Sequence, residues 1–221
     1  MQNYFPTMKV KSFLGGYDNN LCYLAWCKTT HKGALIDPST EINEIHEYIE
    51  NNNIFLDKIL ITHTHSDHIK YLNDIKYLYP QTQICGHINP EKKFSLDYRG
   101  LAHYEVISIG LDIITIIHTP GHYPDSVCYW NKKNNCIFTG DTMFVGRTGR
   151  TIGAKSNISN LYDSIYNKLL KLSDKTYIYP GHHYGYKKII TIKENINLSP
   201  FFQCRSEEEF ILVMKNYEKN R

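Results

Sequence analysis

Four side chains able to ligate a metal fall within six residues of the run Thr62-His63-Thr64-His65-Ser66-Asp67-His68. The run follows Ile59-Leu60-Ile61, an apolar stretch with the composition of a buried strand. In extended chain, residues two apart face the same side. His63 and His65 can therefore converge on one ion, with Asp67 and His68 following as the chain turns into a helix. Such a set suits two adjacent metals. The end of a strand is where a rigid scaffold hands over to a loop, which fixes ligands while leaving a coordination position open for water. A lone histidine is ordinarily a packing or surface residue, but this density of ligand types reverses that expectation.

Three further pieces repeat the same grammar. Thr119-Pro120-Gly121-His122 follows the apolar run Ile113–His118, Thr139-Gly140-Asp141 follows Cys136–Phe138, and Tyr179-Pro180-Gly181-His182 follows Thr176–Ile178. Each sets one ligand at the end of a strand, and in two of them a Pro-Gly pair makes the turn. Singly each is ordinary, since an aspartate after glycine is commonly a cap or turn residue. Together and in this order they point to one constellation. The remaining histidines, His31, His46, His87, His103, His118 and His183, have structural or surface roles in this reading.

The elements that must position these groups are legible as period-two and period-3.6 patterns. Strands are expected at Lys9–Phe13, Leu21–Cys27, Gly33–Asp37, Lys58–Thr62, Ile113–His118, Val127–Trp130, Cys136–Thr139 and Thr176–Tyr179. Helical spacing marks Ile42–Asn52, Ile69–Tyr79 and Leu161–Leu172. Ser206 followed by Glu209 fits a capping box opening a last helix from Glu207 to about Tyr217. The layering expected is helix, sheet, sheet, helix. No linker-like stretch divides the chain, so residues 1–221 are expected to form one domain with a short helical tail from about 190.

Composition narrows the function classes. The 221 residues are 42% hydrophobic, enough for a full core, and the net charge of +3 arises from 25 basic and 22 acidic residues spread along the chain. No basic block suggests a nucleic-acid track. No apolar run approaches the ~18 residues of a membrane span and no secretory leader is visible, so a soluble cytoplasmic protein is expected. The six cysteines include no C-x-x-C pair, and most of them are expected as buried thiols in or near strands.

With these pieces in order, the chain resembles the metallo-β-lactamase superfamily, whose pattern is His-x-His-x-Asp-His, then His, Asp and His. The resemblance covers nearly the whole chain and implies a four-layer αββα sandwich with metals in a cleft at one edge of the two sheets. By position it implies that His63, His65 and His122 hold a first ion, that Asp67, His68 and His182 hold a second, and that Asp141 bridges both. The ions implied are two divalent metals, zinc first, with iron or manganese as alternatives.

Within the superfamily the chain is most similar to the glyoxalase II (hydroxyacylglutathione hydrolase) family, through Gly140-Asp141-Thr142-Met143-Phe144-Val145-Gly146, Gly149-Arg150 and Gly181-His182-His183-Tyr184. That likeness implies hydrolysis of an acyl thioester of glutathione or a similar small thiol by a metal-bound hydroxide. It implies Asp67 as the residue orienting the nucleophile, and Arg150 and Tyr184 as contacts to the substrate. The chain departs from that family where Thr151-Ile152-Gly153 stands in place of a second tyrosine, and its tail after His182 is shorter. The alternative is a mononuclear iron persulfide dioxygenase using His63, His122 and Asp141. Those relatives carry a cysteine where Thr148 stands. A metal-dependent nuclease is a minor alternative, disfavoured because the short span between Asp141 and His182 has no room for an inserted domain.

Overall fold

The computed structural model describes residues 7–95 and 97–219, so residues 1–6, 96, 220 and 221 of the expected domain lie outside the described residues. The first half contains β1 (Met8–Gly15), β2 (Asn20–Cys27), β3 (Lys32–Ile36), α1 (Ile42–Asn51), β4 (Phe55–Leu60), α2 (Leu72–Leu78), β5 (Gln83–His87) and β6 (Tyr98–Leu101). Its strands form one sheet in sequence order, antiparallel from β1 to β3 and parallel from β3 to β6. The second half contains β7 (Val106–Ile109), β8 (Asp112–His118), β9 (Val127–Asn131), β10 (Cys136–Gly140), α3 (Ile158–Tyr162), β11 (Tyr177–Pro180), β12 (Ile190–Thr191), α4 (Ile192–Leu198) and α5 (Glu207–Lys219). Its sheet runs β12-β11-β10-β9-β8-β7, with β10 and β11 the parallel pair.

Side-chain alternation explains the layers. Along β2, Leu21, Tyr23 and Ala25 turn into a core shared with Ile107, Ile114, Tyr129 and Phe138 of the other sheet. Cys22, Leu24 and Trp26 turn the opposite way and pack with Ile45 and Ile49 of α1 and Ile75 of α2. The second sheet repeats this: Ile117, Cys128, Ile137 and Ile178 face outward onto Leu161, Phe210 and Met214 of α3 and α5. A strand buried on both faces holds its register strongly. A slip of one residue would exchange the two sets, and each large apolar side chain contributes about 2 kcal/mol by burial. The result is the αββα sandwich.

Three local expectations are corrected. Helix α2 begins at Leu72 rather than Ile69, because the ligand run continues as turns through Tyr71. The helix expected over Leu161–Leu172 is α-helical only to Tyr162, then π-helical over Asp163–Lys168 and 3-10 over Leu169–Lys171. With that winding, Ser164 donates to the Pro120 carbonyl at 2.7 Å and Lys168 to the His118 carbonyl at 3.0 Å, holding the turn before His122. At α5, Ser206 Oγ accepts the Glu209 amide at 3.3 Å, but the Glu209 carboxylate accepts from Arg205 N–H, so the box is not reciprocal. A reciprocal box does form at Thr191 and Glu194, opening α4. Strands β5, β6, β7 and β12 were not separable from loop by pattern, being short and partly exposed. No helix among the described residues is long and apolar enough to cross a membrane.

Candidate metal centre

All four ligand-bearing segments leave the C-terminal ends of β4, β8, β10 and β11, and backbone bonds stitch the sheets together at that edge. Val127 N–H donates to the Thr62 carbonyl at 2.7 Å and Leu21 N–H to the Gly181 carbonyl at 2.8 Å, while within the second sheet Gly181 N–H donates to the Gly140 carbonyl at 2.8 Å. Buried tyrosine hydroxyls add to the seam, Tyr129 donating to the Ile61 carbonyl at 2.7 Å and Tyr23 to the Pro180 carbonyl at 2.8 Å. The turn carrying His182 is tight. A Cβ at Gly181 would lie 2.5 Å from Asp141 Oδ1 and 2.7 Å from His68 Cε1, so only glycine fits.

The structure brings all seven expected ligands into one cluster. His65 Nδ1 lies 2.9 Å from His63 Nε2 and 3.1 Å from His122 Nε2, forming one triad. In a second triad, His68 Nε2 and His182 Nε2 are 3.2 Å apart and lie 3.5 and 3.4 Å from Asp67 Oδ2. Asp141 stands between them, its Oδ1 3.2 Å from His68 Nε2 and its Oδ2 3.5 Å from His122 Nε2 and 3.4 Å from His182 Nε2. These separations are close to the edges of a tetrahedron with ion-to-ligand bonds of about 2.0–2.1 Å, roughly 3.3 Å.

Partners outside the cluster decide which nitrogen faces inward in the rings of His63, His68, His122 and His182. His122 Nδ1–H donates to the Arg150 carbonyl at 2.9 Å and His182 Nδ1–H to the Asp18 carbonyl at 2.8 Å. His68 Nδ1–H donates to Asp37 Oδ2 at 2.8 Å. Thr62 Oγ1 donates to the same carboxylate at 2.6 Å and accepts from His63 Nδ1–H at 3.1 Å. Each acceptor leaves a lone pair on Nε2 pointing at its neighbours. Lone pairs and carboxylate oxygens this close repel unless cations or protons lie between them. Asp141 Oδ1, buried and without a hydrogen-bond partner, is the sharpest sign of that demand. The residues therefore fit a pair of divalent ions.

The same tension appears in the ring basicities. Burial, reinforced by His68, holds His63 well below the usual imidazole range, and burial with His122 pushes His65 down to about 4. Burial also disfavours charge on His182, but Asp141 and Asp67 outweigh it and push that ring up to about 9. His68 goes up likewise, its burial outweighed by Asp141 and Asp37. Burial would raise Asp141, yet His68 and His182 hold it well below the carboxylate range.

Asp18, Asn20, Asp37 and Thr62 were not singled out from the sequence. Asn20 donates to Asp67 Oδ2 at 2.8 Å, and Asp37 is buried with a left-handed backbone (φ 49°). A usable signal was the acidic residue closing the apolar run Ala34-Leu35-Ile36. Arg150 lies at the boundary of two cavities that share His65 and His122. One, of 490 Å³, includes Asp67, Lys70, His182 and Tyr184, and the other, of 470 Å³, includes Tyr123, Ile152 and Lys155. Tyr184 lines the first, with its hydroxyl donated to Asp18 Oδ2 at 2.5 Å and its ring parallel to His182 at 4.9 Å. The six other histidines stand outside the cluster of seven ligands; His87 and His118, for instance, stack on each other at 4.1 Å.

Comparison with known proteins agrees with this geometry. A sequence profile of the metallo-beta-lactamase superfamily matches residues 15–182. A probable hydroxyacylglutathione hydrolase of Schizosaccharomyces pombe is 31% identical over 81% of this chain and 70% of that protein. A hydroxyacylglutathione hydrolase of Francisella philomiragia is 31% identical over 80% of this chain and 68% of its own length. Among solved structures, ETHE1 from Myxococcus xanthus superposes with a TM-score of 0.85 at 28% identity, covering 95% of this chain and 91% of that one. Profile match, sandwich and ligand cluster converge: this chain belongs to the metallo-beta-lactamase superfamily.

Proposed function

We propose that the protein is a binuclear metallohydrolase that cleaves an acyl thioester of glutathione or a related small thiol. The observation that carries this reading is the pair of complete triads sharing Asp141, in a chain whose curated relatives are named hydroxyacylglutathione hydrolases. His63, His65 and His122 would hold one ion, Asp67, His68 and His182 the other, and Asp141 both. Zinc suits the mixed imidazole and carboxylate set, with iron or manganese as alternatives. Such a pair, when bound, acidifies water toward neutrality and polarises a carbonyl oxygen.

The rest follows from side chains. Asn20 holds the Asp67 carboxylate in one orientation, so Asp67 can direct an attacking water along a fixed line. The two cavities meeting at His65 and His122 give the two arms of a thioester separate places. Arg150, at their boundary, would meet a carboxylate of the carrier, and Tyr184 would offer its ring. The departing thiolate is stable enough to need no strong general acid. Residues 1–221, as one domain with a helical tail from about 190, would carry this site.

The test is metal analysis of protein purified without chelator, read beside hydrolysis of S-D-lactoylglutathione. Two ions per chain with thioesterase activity are expected. One iron per chain, oxygen consumption with glutathione persulfide and no thioesterase activity would replace this reading with the dioxygenase.

A further inference from the structure

Helix α5 contributes none of the seven clustered ligands, yet its last turn grips the loop that carries Arg150. Glu218 Oε1 accepts the Thr151 amide at 2.6 Å and the Thr151 hydroxyl at 3.1 Å. The residue before Thr151 is Arg150, which gives its carbonyl to His122 and lines both cavities. On the other side, Gly149 is pressed against the cluster: a Cβ there would meet the Asp141 carbonyl at 2.0 Å and His122 Cβ at 2.9 Å. The loop is therefore pinned to the metal centre at Gly149 and to α5 at Thr151, with Arg150 between the two pins.

The residue beside Glu218 makes a parallel connection. Tyr217 accepts from the Arg147 guanidinium at 3.0 Å, and that guanidinium lies 3.9 Å from the centre of the Tyr184 ring stacked on His182. Glu218 is also badly placed for its own helix. It sits in the last turn of α5, where exposed carbonyls carry the negative end of the dipole and a carboxylate is unfavourable. The helix dipole does not favour an acid there; the two bonds to Thr151 offset that cost.

We propose that Glu218 is a positioning residue for substrate binding: by fixing Thr151 it aims Arg150 at the carboxylate-bearing carrier of the thioester. This rests on the hydrolase reading above. Glu218 does not touch the reacting atoms, so it acts on the fit of the carrier and leaves the chemical step alone.

The experiment compares Glu218→Ala and Glu218→Gln in the full-length zinc-loaded protein, with S-D-lactoylglutathione and the neutral S-phenyl thioacetate as substrates. Hydrogen exchange at the Thr151 amide and zinc content are measured alongside. For Glu218→Ala we expect KM for the glutathione thioester to rise about tenfold with kcat within about twofold, and KM for the neutral substrate to stay put. Thr151 exchange should accelerate while zinc content holds. Glu218→Gln, which keeps the acceptor oxygen, should restore all of these. An unchanged KM, an equal rise for both substrates, loss of zinc, or no rescue by glutamine would each overturn the proposal. An inactive wild type would overturn the hydrolase reading instead. The Thr151 exchange rate, which needs no substrate, would then decide by itself whether the clamp stands or falls.

Discussion

At the scale of single residues, the centre is a set of mutually repelling groups held in place by hydrogen bonds from outside. Asp141 is the extreme case, a buried carboxylate within 3.5 Å of three histidines. Asp141→Ala should reduce bound metal to one ion or none and lower turnover by several orders of magnitude, because it takes a ligand from both ions at once. Full metal content with near-normal turnover would remove Asp141 from the bridging position. Asp37 acts one step further out, serving His68 and Thr62 with the same oxygen. Asp37→Asn should weaken metal affinity about 10–100-fold without removing any ligand, since an amide is a poorer acceptor for the His68 N–H. Competition with a chromophoric chelator measures this, and an unchanged affinity would contradict the role given to Asp37.

At the scale of elements, the site consists of strand ends, and its precision comes from how closely those ends approach. The turn after β11 shows this, since the absent side chain of Gly181 is what lets His182 reach Asp141 and His68. Gly181→Ala should cost about 1–3 kcal/mol by overpacking and lower metal stoichiometry, with far-UV circular dichroism unchanged. Retention of both ions and wild-type stability would show that the turn can yield. The ligand-bearing elements were readable because each apolar run ends directly in a distinctive signal, the His-x-His-x-Asp-His run after β4, a Pro-Gly turn after β8 and β11, and Gly-Asp after β10, all contained within a few residues. The π-helical stretch at Asp163–Lys168 was not readable, because its winding goes with Ser164 and Lys168 meeting carbonyls of a loop more than forty positions away. Strands β5 to β7 were missed for a different reason: at four or five residues each they are too short for a period to stand out from loop.

At the scale of the whole molecule, one core joins both sheets, and all six cysteines are buried free thiols where the sequence led us to expect most of them to be. Burial pushes the Cys85 thiol up to about 11 and the Cys128 and Cys136 thiols up to about 12, against 9.0 for an exposed thiol. Above pH 9 the unfolded chain therefore loses these protons before the folded one does. Their contribution to stability is complete below pH 9 and is lost as pH rises through 11 to 12, by about 1.4 kcal/mol per unit for each thiol. Urea unfolding at pH 8 and pH 10 should show that decline, and a thiol reagent at pH 8 should label Cys85, Cys128 and Cys136 only after unfolding. Rapid labelling of the native protein would contradict their burial. Which side chains gather at the candidate metal centre was legible in the sequence alone, because the conformation at each is set by neighbours one to three residues away: alternation along a strand, a Pro-Gly turn, an aspartate after glycine. Tertiary structure alone decided that Asp18, Asn20 and Asp37 orient those ligands and that Glu218 reaches the loop of Arg150. These contacts join residues far apart in the chain, and they depend on which strand ends and which helix end the packing of two sheets brings to the same edge.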